Sequence, residues 1–98
     1  MTNPAKALRE AARIIEERDD THGDYRETFA KCAELWSAYL EVPISPIQVC
    51  HLNQLQKMAR DLCAPEINIE NHDDNTGYAA IGAAFAASIK KGLKDGKN

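Results

Sequence analysis

The sequence has few of the features that mark membrane, secreted or zinc-ribbon proteins. No stretch approaches the run of about 20 apolar residues that spans a bilayer, and the N-terminal segment lacks the unbroken apolar region of a signal peptide. The cysteines show no C-x-x-C spacing, so neither a disulfide framework nor a zinc ribbon is indicated. They are Cys32, Cys50 and Cys63. We therefore expect reduced thiols in a cytoplasmic protein with no membrane partner.

Positive charge is also scarce, which argues against a broad nucleic-acid surface. The net charge is −3, and the one basic run, "KKGLKDGKN" at residues 90–98, is expected to be a frayed and solvated tail. The chain contains no P-loop, no G-x-G-x-x-G and no G-x-S-x-G motif. The common phosphate-binding loops and the common nucleophilic sites are therefore not predicted.

What the chain does contain is typical of one small helical domain. It has 98 residues, of which 44% are apolar and 28% charged, and such a length buries only a modest core, so self-association would help. Helix-start and helix-stop signals predict four helices, at 1–20, 24–41, 45–63 and 70–93. The sequence thus predicts an all-α, four-helix bundle-like single domain that forms a homo-oligomer.

Two predicted helix faces support the bundle and its self-association. In the third helix, the spacing of His51, Leu55, Met58 and Leu62 marks the core face and puts Lys57 on the opposite side. In the fourth helix, small residues recur at a spacing that admits another helix, within the bundle or across a dimer. They are Gly77, Ala80, Ala84 and Ser88.

The densest polar cluster opens the fourth helix, in "IENHDDNTGYAAIGAAF". Asn71, Asp74 and Tyr78 are spaced i, i+3 and i+7, so a formed helix places them on one face. Asp74 then points inward, where an unpaired charge is costly, and His51 is a candidate partner. Two alternatives stay open: Asp74 faces a cleft, or Asp73 and Asp74 simply favour the positive end of the helix.

Paired carboxylates suggest a divalent-metal site as one alternative. Glu70 and Asp73 form an E-x-x-D pair, and Asp74 lies beside them. Glu16, Glu17 and Asp20 form a second acidic set on the first helix, about fifty residues away. Two such sets resemble those with which nucleoside-triphosphate pyrophosphohydrolases of the MazG type hold magnesium. Acid pairs at this spacing are also common on solvated helix faces, so an ordinary exposed surface remains the alternative to a metal site.

Two further clusters have a binding interpretation and a structural one. His22, Gly23 and Asp24 open the second helix, where backbone N–H groups bind an anion or where Asp24 merely caps the helix. Lys57 and Arg60 lie one turn apart on the third helix, where they bind a phosphate or form exposed ion pairs.

Several motifs in order resemble a family of small bacteriophage and prophage proteins that is known only as a domain of unknown function. These motifs are "ERDDTHGDYRETF", "LWSAYL", "ISP", "LQKMAR" and "NHDDNTGYAAIGA". The positions that match the family pattern are Arg18, His22, Gly23, Asp24, Phe29, Trp36, Lys57, Arg60, Asn71, Asp74, Gly77 and Tyr78. Thr28, Glu70 and Thr76 depart from it, and Thr28 replaces an asparagine that would contribute a polar contact near His22.

The resemblance implies a phage-type accessory protein in the host cytoplasm, and three hypotheses follow. In the first, a nucleotide or small phosphate ligand binds Arg18, Lys57 and Arg60, with Asp24, Asn71 and Tyr78 beside it. Glu70, Asp73 and Asp74 would hold Mg²⁺ or Mn²⁺, and Asp74 and His22 would act in pyrophosphate hydrolysis. In the second, the chain binds and inhibits a host protein without catalysis. In the third, it is a structural oligomer held by the small-residue face of the fourth helix.

Overall fold

The computed structural model describes residues 3–96, which form four α-helices and no strand. They are α1 (Pro4–His22), α2 (Tyr25–Leu40), α3 (Pro46–Cys63) and α4 (Ile69–Gly96). The predicted all-α class is confirmed. Among residues 3–96, no helix combines the length and the apolar character needed to cross a membrane.

Side-chain caps locate the starts of the first three helices. The Lys6 N–H donates to Asn3 Oδ1 at 2.8 Å, ahead of α1. The Arg26 N–H donates to Asp24 Oδ1 at 2.9 Å, ahead of α2. At α3, Ser45 and Gln48 exchange two hydrogen bonds in a capping box, because each side chain accepts from the other's backbone N–H. These contacts satisfy N–H groups that the first turn of a helix leaves without partners.

Two helices extend beyond their predicted ends. α1 continues to His22, and Gly23, with φ of 81°, ends it. α4 runs from Ile69 to Gly96, so most of the segment predicted as a frayed tail is helical, while residues 97–98 lie outside the described part. No proline interrupts the alanine-rich α4.

α4 is the central helix, with α1 and α3 packed against it and α2 packed against α3. Ile15 of α1 contacts the Gly77 position, where an added Cβ would lie 3.7 Å from Ile15 Cγ1. Cys50 of α3 contacts the Gly82 position, where an added Cβ would lie 3.5 Å from Cys50 Cβ. Each glycine therefore lets a different helix approach α4.

The small-residue face predicted for α4 packs within the bundle at Gly77. Gly77 is buried against α1 of the same chain, whereas Ala80 and Ser88 are exposed. Gly82 points in another direction, because positions 77 and 82 are about 140° apart around a helix with 3.6 residues per turn. Gly77 therefore packs against α1 and Gly82 against α3, and a dimer contact through the exposed Ala80 and Ser88 stays a prediction.

The core face predicted for α3 is wrong. Val49 and Cys50 are its buried residues, and Lys57 is half-buried on the side that meets α4. His51, Leu55, Met58 and Leu62 are all exposed. The helix is turned in this way because Gly82 makes room for Cys50 and, as shown below, a carboxylate of α4 meets Lys57.

Aromatic side chains connect α2 to α4. Tyr25 and Phe85 pack edge to face with ring centroids 5.6 Å apart. Phe29 lies between Tyr78 and Phe85, with centroid distances of 6.1 and 6.2 Å. Rings at these separations attract each other beyond the effect of their buried area. The side of α2 that carries Tyr25 and Phe29 therefore faces α4.

The three thiols should differ in reactivity, with Cys50 protected and Cys63 accessible. Cys50 is fully buried, and burial raises the pKa of its thiol to about 11, whereas Cys63 is exposed. Because the thiolate is the nucleophile, iodoacetamide should modify Cys63 well before Cys50 in the folded protein. Peptide mapping by mass spectrometry measures this order. Equal labelling of the two thiols without denaturant would contradict the packing of α3 against α4.

Candidate functional site

A cavity of about 380 Å³ lies between α1, α2 and α4. Its apolar wall combines aliphatic and aromatic side chains: Ala11, Ile14, Ile15, Tyr25, Phe29, Tyr78 and Ile81. Its polar rim consists of Arg18, Asp19, Thr28, Asp73 and Asp74. An apolar cleft of this size with a few convergent polar groups is the usual form of a small-molecule site.

Antiparallel packing creates the rim. Ile15 lies next to Gly77 and Arg18 next to Asp74, so α1 and α4 run in opposite directions. The last turns of α1 therefore meet the first turns of α4, and α2 begins directly after Gly23 at the same end. Charged residues that are far apart along the chain converge there.

Asp74 is held by two cations from two other helices. Arg18 Nη2 lies 3.1 Å from Asp74 Oδ1, and Lys57 Nζ lies 2.9 Å from Asp74 Oδ2. The Asp74 and Lys57 side chains are only 15% and 14% exposed, whereas that of Arg18 is 53% exposed. Asp74 therefore points inward, and its carboxylate joins α1, α3 and α4.

His51 is not the partner of Asp74, which corrects the predicted pairing. His51 lies on the exposed side of α3, while Lys57 occupies the side that faces α4. Lysine can take this position because its aliphatic stem packs against apolar surface and its ammonium reaches the carboxylate. A half-buried charge is tolerated there because it is paired.

Lys57 and Arg60 do not share an exposed face. Lys57 forms an ion pair with Asp74, whereas Arg60 is exposed and forms no ion pair within residues 3–96. Arg60 also lies outside the lining of the 380 Å³ cavity. The structure thus separates the two cations that the sequence places one turn apart, and Arg18 is the cation at the cavity.

Asn71 lies beside a different cleft, on the other side of Asp74. This second cavity, of about 300 Å³, is lined by Lys57, Met58, Asp61, Leu62, Asn71, His72 and Asn75. His72 Nε2 is 3.1 Å from Asp61 Oδ1, which ties α4 to α3. Of the three residues predicted to share a face, Asp74 and Tyr78 line the 380 Å³ cavity and Asn71 does not.

The carboxylates predicted to hold a metal are not gathered in one place. Asp73 lines the 380 Å³ cavity, Glu70 is exposed beside the 64–68 loop, and Asp74 is paired with two cations. On α1, Glu17 pairs with Arg13. The described part of the chain contains no group of three or more His, Cys, Asp or Glu side chains placed to hold a metal ion.

Asp24 acts as a helix cap. Beyond accepting the Arg26 N–H, its carboxylate pairs with the Arg26 guanidinium, with Nη2 2.8 Å from Oδ2. The hydrogen bonds from Arg26 lower the pKa of the Asp24 carboxyl below its usual value. Asp24 is not part of the cavity lining, although its neighbours Gly23 and Tyr25 are. The side chain of His22 lies outside the described residues.

Sequence reasoning missed Asp19 and Tyr25 as cavity residues. Asp19 follows Arg18 on the last turns of α1, and its position next to that predicted ligand-binding cation could have identified it. Tyr25 is the first residue of α2, and its side chain both packs against Phe85 and lines the cavity. Thr28, where the sequence departs from the resembled family, also lines the cavity.

Comparisons with known proteins agree with the predicted resemblance. "Gene 55 protein" of Mycobacterium phage D29 is 41% identical over 73 residues, which are 74% of this chain and 48% of that protein. The chain therefore spans about half the length of this curated relative. No solved structure matches the chain. A family model matches residues 6–86, so the resemblance to a small phage-type family of unknown function is confirmed, and the chain belongs to DUF6378, a domain of unknown function.

Proposed function

We propose that the chain is a phage-type accessory protein, acting in the host cytoplasm, that binds a nucleotide in the cavity between α1, α2 and α4. The observation that supports this most directly is the composition of the cavity. Aromatic and aliphatic side chains line the same cavity of about 380 Å³ as the charged residues of the rim. A nucleotide combines a flat apolar ring with an anionic phosphate, and the cavity offers a complementary surface for each.

The ring would lie against the aromatic wall. Phe29 and Tyr78 both line the cavity, with ring centroids 6.1 Å apart, and stacking of a base on an aromatic side chain contributes about 1–3 kcal/mol. Asp73 and Thr28 lie at the rim of the same cavity. Their oxygens would accept hydrogen bonds from the amino group of a base.

Arg18 is the residue we assign to the phosphate. Only its Nη2 bonds to Asp74, so most N–H groups of the guanidinium have no partner in the described part of the chain. A guanidinium fork that is held at one nitrogen and open at the others is well oriented for a phosphate. Asp74, itself held by Lys57, would act as a positioning residue for Arg18.

A finer form of the proposal adds metal-assisted hydrolysis of the pyrophosphate bond, as in MazG-type enzymes. Asp19 and Asp73 line the cavity and form no ion pair within residues 3–96. They, more than Asp74, are the carboxylates that could join phosphate oxygens around Mg²⁺ or Mn²⁺. The metal would neutralise charge on the phosphates and activate water.

The first test is a thermal-shift panel of ribonucleotides and deoxynucleotides, with and without Mg²⁺ or Mn²⁺. A ligand that binds only the folded state raises the melting temperature by mass action. We expect one nucleotide class to raise it, and Arg18→Ala to weaken binding about tenfold or more, because a charged hydrogen bond contributes about 1.5–3 kcal/mol. Calorimetric titration measures the affinities.

Arg9→Ala is the matched control, because Arg9 lies on the exposed surface of α1 and outside the cavity. It should leave the affinity unchanged. A panel without any shift, or a shift that Arg18→Ala leaves intact, would contradict the proposed site. Product analysis of the nucleotide that binds then separates an enzyme from a binding protein.

A second candidate function, inhibition of a host protein, is favoured by one observation. Large apolar side chains such as Leu55 and Leu62 are exposed on α3, outside the 380 Å³ cavity. Exposed apolar surface of this kind marks a contact with another protein. A second copy of the chain can cover the same surface, and sedimentation velocity of the purified chain distinguishes a second copy from a host protein.

A further inference from the structure

One side of α3 presents a continuous row of uncovered apolar side chains. The row, here called the leucine face, consists of Leu52, Leu55, Met58 and Leu62, which are 40%, 58%, 46% and 86% exposed. Their spacing of three or four residues puts them along one side of the helix. None of these four side chains is charged, and His51 is the titratable residue exposed on the same side of α3.

The accessible surface of the chain is larger than that expected of a folded monomer of the same mass. The accessible surface is 7607 Å², whereas a folded monomer of 10.9 kDa is expected to expose about 5,600 Å². The excess of about 2,000 Å² per chain exceeds the roughly 800 Å² that each partner contributes to a standard interface. The radius of gyration, 15.2 Å, likewise exceeds the value of about 13 Å for this length.

The interior of a single chain is correspondingly thin. Among the described residues, the buried apolar side chains are Ala11, Ala33, Val49 and Cys50, all of them small. The larger leucine and methionine side chains of α3 lie outside. A core of this kind is completed when the exposed row is packed against another apolar surface.

We propose that the leucine face is the interface of a homodimer, in which α3 packs antiparallel against α3 of a second copy. A twofold axis brings the same patch of both chains together, so the patch must complement itself. The leucine face meets this condition because its four side chains are apolar and need no opposite charge from the second copy. The axis passes between Leu55 and Met58, and Leu52 then packs against the partner's Leu62. This inference does not depend on nucleotide binding.

Sedimentation velocity over a wide range of concentrations tests the oligomeric state of the full chain. We expect a species of twice the 10.9 kDa chain mass. Leu55→Glu and Leu62→Glu should each shift it to the monomer, because a carboxylate buried in an apolar interface has no partner. Leu8→Glu is the matched control, since Leu8 is exposed on α1, away from the leucine face, and should leave the dimer intact.

Disulfide cross-linking gives an answer even if the glutamate variants fail to fold. In a background of Cys32→Ser and Cys63→Ser, Met58→Cys lies near the axis and should form a cross-linked dimer on mild oxidation. Leu8→Cys in the same background should not. A wild-type monomer at every concentration, or a dimer that survives Leu62→Glu and does not cross-link through Met58→Cys, would overturn the proposal. A wild-type monomer that forms a defined complex with a purified host protein through Leu55 would assign the face to that partner.

Discussion

Asp74→Asn should lower the free energy of unfolding by about 3 kcal/mol, the lower end of the range for breaking a buried ion pair. The amide keeps the shape of the side chain but removes its charge, so the ammonium of Lys57, which is only 14% exposed, loses its counter-ion. For a domain of this length, such a loss lowers the melting temperature by more than about 10 °C. Urea denaturation at fixed protein concentration measures the change.

Two control variants distinguish how much Arg18 and Lys57, the two cations that contact Asp74, contribute to stability. Arg18→Ala should cost less than about 1 kcal/mol, because its side chain is 53% exposed and water solvates an exposed cation well. The double variant Asp74→Leu with Lys57→Met should regain most of the lost stability, since apolar residues often replace a buried ion pair without loss. Equal losses for Asp74→Asn and Arg18→Ala would contradict the pairing described here.

This expectation changes how activity experiments on Asp74 are interpreted. If Asp74→Asn abolished binding or turnover, the loss alone would not identify Asp74 as a metal ligand, because the same change releases Lys57 and Arg18. Asp73→Asn is the cleaner test of a carboxylate role, since Asp73 lines the cavity and has no ion-pair partner within residues 3–96.

Phe29→Ala should lower the free energy of unfolding by about 2–3 kcal/mol, less than the 3–5 kcal/mol typical of a fully buried phenylalanine. Phe29 is half-buried, and its ring contacts both Tyr78 and Phe85, so its removal takes away two of the three ring contacts between α2 and α4. The first half of α2 should then exchange its amide hydrogens faster. Hydrogen exchange and urea denaturation measure the two effects.

A matched variant on the same helix controls this prediction. Tyr39→Ala removes a ring that is almost fully exposed, so it should change stability by less than about 0.5 kcal/mol. Phe29→Leu keeps most of the apolar volume and should cost about 1 kcal/mol. If Phe29→Ala and Tyr39→Ala had the same effect, the aromatic contacts would not hold α2 against α4.

Most helix ends were predictable because their signals are local. Asn3 with Pro4, and Ser45 with Pro46, act through hydrogen bonds and backbone restrictions within three residues of the cap. The far end of α4 was not predictable in this way. No proline follows it, and the basic composition of residues 90–98 suggested a tail where the helix in fact continues to Gly96.

The cavity was only partly predictable. Arg18, Asp73, Asp74 and Tyr78 were candidates, and antiparallel packing of α1 and α4 places all four at one cavity. Asp19 and Tyr25 were overlooked because their roles depend on which helix lies opposite. The residues around Asp19 are those of an ordinary helix end, and the residues around Tyr25 are those of an ordinary amphipathic helix.

The sequence by itself determined the all-α class, the number of helices and the start of most of them, because each depends on contacts between residues a few positions apart. Only the tertiary structure decided which side of α3 faces inward. Periodicity favoured the side of Leu55 and Leu62, yet Lys57 lies inside and the leucines lie outside. The reason is that a lysine can occupy an interior position where another helix supplies a carboxylate, and Asp74 supplies it from 17 residues further along the chain.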